Sequence, residues 1–198
     1  NSTYNGESLL GACARAGVHY SDLSGEGFWQ REMIDAFHET AVASGAKIVL
    51  GGGVDSIPSD LGAHLALQAL DFDADKDSYV RVTGKYTEYS GSFSGGTLAS
   101  GKARQAALRS GRLTKEALED PYILAPGSKG HEEEDASQDG MPPGFVRKVE
   151  AGHGVLLPFF MGKINAPVVR RSFALNGLDG QLSYRECCSL GMWSRISW

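Results

Sequence analysis

The chain has 198 residues, 41% hydrophobic and 22% charged, which is ordinary globular composition with apolar material for one core or two small ones. A formal net charge of −5 argues against a nucleic-acid partner, which calls for a basic face or stripe. Three cysteines without zinc spacing exclude a disulfide-built scaffold, and no apolar run reaches the roughly 18 residues of a membrane span, so a cytoplasmic protein is expected.

The chain opens at Asn1 without a methionine, and residues 1–7 read as a loop entering a helix, as expected of a fragment. Leu9, Leu10, Cys13 and Ala14 recur at helical spacing up to Ala16, and Gly17 stands where a left-handed cap belongs. Residues 18–23 alternate like a strand that ends at Ser24-Gly25-Glu26. Trp29, Met33, Ile34, Phe37 and Val42 then fall near one helical face, which Gly45 terminates. The next strand is Lys47-Ile48-Val49-Leu50, followed by the run GGGVDSIPSDLG over residues 51–62, which turns into another helix with Pro58 and Ser59 near its first turn.

Helix, strand, helix, strand, helix is the rhythm of a parallel sheet covered by crossovers. The expected fold class is therefore α/β. Residues 1–74 read as the C-terminal part of a Rossmann-like doubly wound domain, with two strands where a complete sheet needs more. From residue 75 the pattern changes, and 75–186 read as a second, α+β domain with a largely antiparallel sheet. Residues 78–86 alternate with period two, as a half-exposed antiparallel strand does. A helix is expected from Leu98 to Ser110, stopped by Gly111. Residues 126–144 carry proline, glycine and Glu132-Glu133-Glu134-Asp135, the composition of a solvated, flexible acidic loop. Residues 154–184 read as one or two strands joined by loops, and 187–198, beginning at the adjacent Cys187 and Cys188, as a tail.

The loops after the first two strands leave the carboxyl ends of parallel neighbours, where open α/β sheets bind ligands. The glycines at 51–53 allow close backbone approach, and the following helix start offers free N–H groups, with Asp55, Ser56 and Asp60 beside them. Asp55 and Ser56 are the candidate catalytic pair, although both types also cap helices, and Asp60 suits the helix dipole better than catalysis. His19, His38, His64, His131 and His153 lie too far apart for a metal motif, and neither a G-x-S-x-G elbow nor a Walker loop is present.

HYSDLSGE at 19–26 followed by GGGVDSIPSDLG at 51–62 resembles the saccharopine dehydrogenase-like oxidoreductases, in particular their trans-acting enoyl reductase branch. YNGE at 4–7, FSGGTLAS at 93–100, DPY at 120–122 and APVVRRS at 166–172 extend the resemblance in the same order. It implies an NAD- or NADP-dependent oxidoreductase acting on a small-molecule or lipid-like substrate, such as a lipid or polyketide intermediate. It places Tyr4, Asn5, Gly6, Ser24, Gly25, Glu26, Gly52 and Gly53 beside the cofactor and Asp55 and Ser56 near the nicotinamide; by position in the chain, Tyr20 and His64 join Asp55 and Ser56 as candidate proton donors, although a packed, structural role suits His64 better. A homodimer and a peripheral lipid-surface association are further expectations. A non-catalytic, lipid-associated or partner-binding remnant is the alternative. Saccharopine reductase activity is disfavoured, since Asp55 to Asp60 departs from the run those enzymes carry.

Overall fold

The structure, a computed structural model, describes residues 6–54, 56–73, 79–88, 95–128, 147–148 and 155–189. Tyr4, Asn5, Asp55, most of the acidic loop and residues 190–198 lie outside the described residues. The first elements follow the sequence periodicity: helix α1 (Gly6–Ala16), strand β1 (Tyr20–Ser21), helix α2 (Gly27–Ser44), strand β2 (Ile48–Val49) and helix α3 (Ile57–Ala69). Gly17 and Gly45 take left-handed φ values of 68° and 76°, and the Gly45 N–H closes α2 by bonding the carbonyls of Ala41 and Val42. β1 and β2 pair in parallel, Tyr20 opposite Ile48, as a βαβ unit requires.

The second sheet combines β3 (Val80–Tyr86), β4 (Arg147–Lys148), β5 (Val155–Pro158) and β6 (Leu182–Ser189) in the order β3-β6-β5-β4. β4–β5 and β5–β6 are antiparallel, but the longest ladder, from Val80↔Leu182 to Tyr86↔Cys188, is parallel. The strand read as antiparallel from its alternation is thus a parallel strand, because period two reports one buried face and carries no information on the partner's direction. β6 continues through Cys187 and Cys188 to Ser189, beyond the start of the expected tail. The two cysteines are free thiols pointing to opposite faces, as neighbours on a strand must.

Helix α4 (Gly95–Arg109) begins three residues before the expected start, and a short α5 (Lys115–Glu119) follows, with the Thr114 hydroxyl capping the Ala117 N–H. The largest departure from expectation is α6 (Gly162–Leu175), a 14-residue helix where strands and loops are read. Pro167 removes one helical N–H and Val168 and Val169 are β-branched, so local propensity argues against a helix there. Burial overrides it. Ala166, Val169 and Phe173 of α6 close a core with Ala63 and Leu67 of α3 and Leu182 and Tyr184 of β6. A second core under α1 and α2, around Leu10, Phe28, Trp29 and Met33, is completed by Ala107 of α4 and Leu113 beyond it.

Phe173 is 5% exposed at the junction of α3, α6 and β6. Replacing Phe173 by Ala is expected to lower unfolding free energy by about 3–5 kcal/mol, measured by denaturant titration followed by circular dichroism.

Candidate functional site

The loops leaving β1 and β2 meet on one carboxylate. Asp22 Oδ1 accepts the Ser24 N–H at 3.0 Å, the Ser24 hydroxyl at 2.7 Å and the Gly51 N–H at 3.2 Å, while Oδ2 accepts the Tyr20 hydroxyl at 3.0 Å. Burial, reinforced by this bond to Asp22, pushes the Tyr20 hydroxyl up to about 12, so Tyr20 keeps its proton at neutral pH. The Gly52 N–H bonds the Asp22 carbonyl at 2.7 Å and the Gly53 N–H bonds the Gly51 carbonyl at 2.8 Å. Gly51 has φ +67°, and a Cβ there would sit 3.0 Å from Gln30 Nε2. A Cβ on Gly52 would lie 2.7 Å from Ser21 Oγ, and one on Gly53 2.6 Å from Leu23 Cδ2. Gly51 is required by its left-handed φ and by the Ser24 carbonyl 3.2 Å from where its Cβ would stand, whereas at Gly52 and Gly53 the nearest atoms are side-chain ends that can move; the N–H groups of all three are committed inside the loop pair.

Helix α6 lies across these loops. A Cβ on Gly25 would meet Ile164 Cγ2 at 3.3 Å, one on Gly51 would meet Val168 Cγ2 at 4.0 Å, and Asn165 stands between them in sequence. Glu26 occupies the position before α2, its carbonyl accepting the Gln30 N–H at 3.0 Å and its side chain making no capping bond. Ser24 directs its hydroxyl proton to Asp22 and its carbonyl to Gln30 Nε2 at 2.6 Å. The donors that a dinucleotide's phosphates need are thus already occupied at Ser24 and at 51–53. These loops do not form a ready cradle for the expected cofactor.

The more substantial polar assembly is one that sequence reasoning did not single out. Glu186 of β6, only 4% exposed, accepts from Ser59 Oγ at 2.5 Å and Tyr184 Oη at 2.7 Å on Oε1, and from Asn165 Nδ2 at 2.9 Å on Oε2. Ser59 Oγ also bonds Tyr86 Oη at 2.8 Å, and Asn165 Oδ1 accepts the Ser56 hydroxyl at 3.2 Å. Four elements meet here: Ser59 in the first turn of α3 with Ser56 just before it, Tyr86 at the end of β3, Asn165 in α6, and Tyr184 and Glu186 in β6. Burial pushes the Glu186 carboxyl up, and the bonds from Ser59, Tyr184, Asn165 and Tyr86 pull it back part of the way. The Tyr184 hydroxyl is raised as well, first by burial and then by the Glu186 charge.

Of the expected site residues, Ser56 is brought into this network, 2% exposed, while Ser24, Gly25, Glu26, Gly52 and Gly53 gather at the Asp22 loops. Gly6 begins α1. Asp60 lies in the first turn of α3, and burial raises its carboxyl against the lowering effect of Ser172. His64 is exposed and pairs with Gln68 on the surface of α3 at 3.1 Å. Among the described residues no group of three or more histidine, cysteine or acidic side chains could hold a metal, and no helix is long and apolar enough to cross a membrane. A lone glutamate on a strand carries no motif; the only signal in the sequence was its place two residues from Tyr184, on the same strand face.

Because Glu186 binds its proton more tightly in the fold than in the unfolded chain, its contribution is full below the ordinary glutamate range and is lost as pH rises through the raised value. Glu186→Gln is expected to flatten that part of the stability profile, so that the native protein loses stability relative to the variant as pH increases, measured by urea titrations at a series of pH values. At the loops, Asp22→Ala removes four hydrogen bonds to one carboxylate. A loss of about 2–3 kcal/mol and faster exchange of the Gly51 amide are expected, read by denaturation and hydrogen exchange.

Compared with known proteins, the chain is 36% identical over 200 positions to a Mycobacterium tuberculosis protein named "putative trans-acting enoyl reductase". It is 33% identical to proteins named trans-acting enoyl reductase from Mycobacterium ulcerans, over 200 positions, and Mycobacterium bovis, over 202. Each alignment takes in 96% of this chain and 46% of the relative, so the chain spans about half the length of the curated relatives it matches. No protein-family profile and no solved structure matches it. Along nearly all of its length, the chain is similar to part of the trans-acting enoyl reductases.

Proposed function

We propose that this chain is part of an NAD- or NADP-dependent enoyl reductase of the saccharopine dehydrogenase-like type, acting on a lipid or polyketide intermediate. The observation that carries the reading is the 33–36% identity over 96% of the chain to proteins named trans-acting enoyl reductase. The β1–α2–β2 unit, a parallel strand pair joined through a helix, is compatible with the α/β fold that such a reductase needs.

A reduced nicotinamide, when bound, would supply hydride for the β-carbon of an activated double bond, with a proton at the α-carbon completing the saturated product. In this reading Asp55 handles the proton and Ser56 is a positioning residue, since its own proton is directed to Asn165. Glu186 holds Asn165, and through it the start of α3, in place.

The test is incubation of the full-length protein that carries this chain with an N-acetylcysteamine 2-enoyl thioester and NADPH or NADH carrying deuterium at the transferred position. Deuterium at the product's β-carbon, in step with nicotinamide oxidation, is the expected result, and the faster nucleotide identifies the cofactor. Label-free product or no oxidation with either nucleotide defeats the reading, and turnover of saccharopine in its place moves the chain to amino-acid chemistry.

A further inference from the structure

A cavity of about 320 Å³ lies away from the Glu186 network, between α2, β2 and α6. Met33, Phe37, Ala41, Ile48 and Leu50 give it an apolar wall, and its volume is at the lower end of the range of small-molecule sites, about 300–1,000 Å³. One lining residue breaks the pattern. Arg171 of α6 faces the same space, half-buried, with Nη1 donating to the Leu124 carbonyl at 2.6 Å. Among the described residues no carboxylate forms an ion pair with it.

The nearby anion is already engaged: Asp35, which Arg171 feels electrostatically, is held by Arg31 through both carboxylate oxygens. Arg31, Asp35 and Arg171 together leave one positive charge in excess, and His38 lines the cavity beside them. Burial lowers the Arg171 pKa, the direction expected of a cation removed from water without a full counter-charge. An apolar chamber with an unmatched guanidinium in its wall complements an amphiphile with an alkyl chain and a single anionic head.

We propose that this cavity binds a medium-length fatty-acyl carboxylate, the chain lying against Met33, Phe37, Ala41 and Ile48 and the carboxylate pairing with Arg171. The site adjoins the β1 and β2 loops through Gln30, Leu50 and Val168, and because its test reads ligand affinity and not reduction, it fails independently of the proposed function.

Calorimetric titration of the whole chain with decanoate tests it, with decanol as the neutral ligand of the same length. Saturable binding of decanoate, at least about tenfold tighter than decanol, is expected, the scale of one charge-assisted pair in a half-buried site. Arg171→Gln should remove that preference while leaving decanol affinity unchanged, and Arg171→Lys should restore part of it. The comparison of the two ligands on the unaltered chain needs no variant, so it holds even if substitution disturbs folding. Equal affinity for both ligands, or no binding of decanoate, overturns the proposal. Sedimentation as a dimer that decanoate does not disperse assigns the face to a second copy and overturns it as well.

Discussion

Removing a carboxylate from water costs several kcal/mol unless donors meet it, and Glu186 meets its donors only where four elements converge. Ser59 brings α3, Asn165 brings α6, Tyr184 comes from two residues along the same strand, and Tyr86 reaches in through Ser59 from β3. The β3–β6 register makes this geometry available. Gly84 lies opposite Glu186, and a Cβ on Gly84 would stand 3.0 Å from Tyr184 Oη. A glycine in mid-strand weakens the strand, yet here it clears the space in which the Tyr184 hydroxyl reaches the carboxylate. A one-residue slip of the ladder would turn Glu186 and Tyr184 to the other face and leave Ser59 and Asn165 without their acceptor.

Helix α6 links this network to everything around it. Its Ala166, Val169 and Phe173 face the core, Asn165 faces Glu186 and Ser56, and Ile164 and Val168 approach the β1 and β2 loops. Arg170 donates to the carbonyls of Pro121 and Tyr184 and lies over the Tyr122 ring at 5.5 Å, fastening the segment after α5 to β6. Arg171 makes the parallel bond to Leu124. Two segments picked out in sequence, DPY at 120–122 and APVVRRS at 166–172, are thus two sides of one contact. Satisfying buried carbonyls with arginine lets that irregular segment pack without strand or helix partners.

The sequence made the first half legible because its signals are local: apolar spacing located α1, α2 and α3, and Gly17 and Gly45 marked the left-handed ends. α6 was hidden because Pro167, Val168 and Val169 speak against a helix locally, while the packing that outweighs them comes from α3, 100 residues away, and from β6. The direction of β3 was hidden for a related reason, since its partner β6 lies across a long stretch of chain whose own structure the alternation does not encode. Glu186 was hidden because a network is a property of the fold: five partner side chains spread from residue 56 to residue 184 form no spacing a reader could recognise. The parallel relation of the two strands was legible in the helix between them, and the structure pairs β1 with β2 in parallel, but the hydrogen bonds that join their loops come only from the fold.

Ser56 shows how a distant charge fixes local chemistry. An ionised Glu186 can only accept, so Asn165 must present its amide nitrogen to it and its carbonyl oxygen to Ser56. Ser56 then has one available role in that bond, as donor, and its single proton is committed. A neutral amide in place of Glu186 could reverse Asn165, turning nitrogen towards Ser56 and freeing the hydroxyl proton. The ionisation of a side chain in the second sheet therefore decides whether the hydroxyl at the start of α3 gives or receives a hydrogen bond. With Glu186 ionised, the polarity of the buried chain Ser56–Asn165–Glu186 directs the Ser56 proton to Asn165 and leaves its oxygen lone pairs facing outward from that chain.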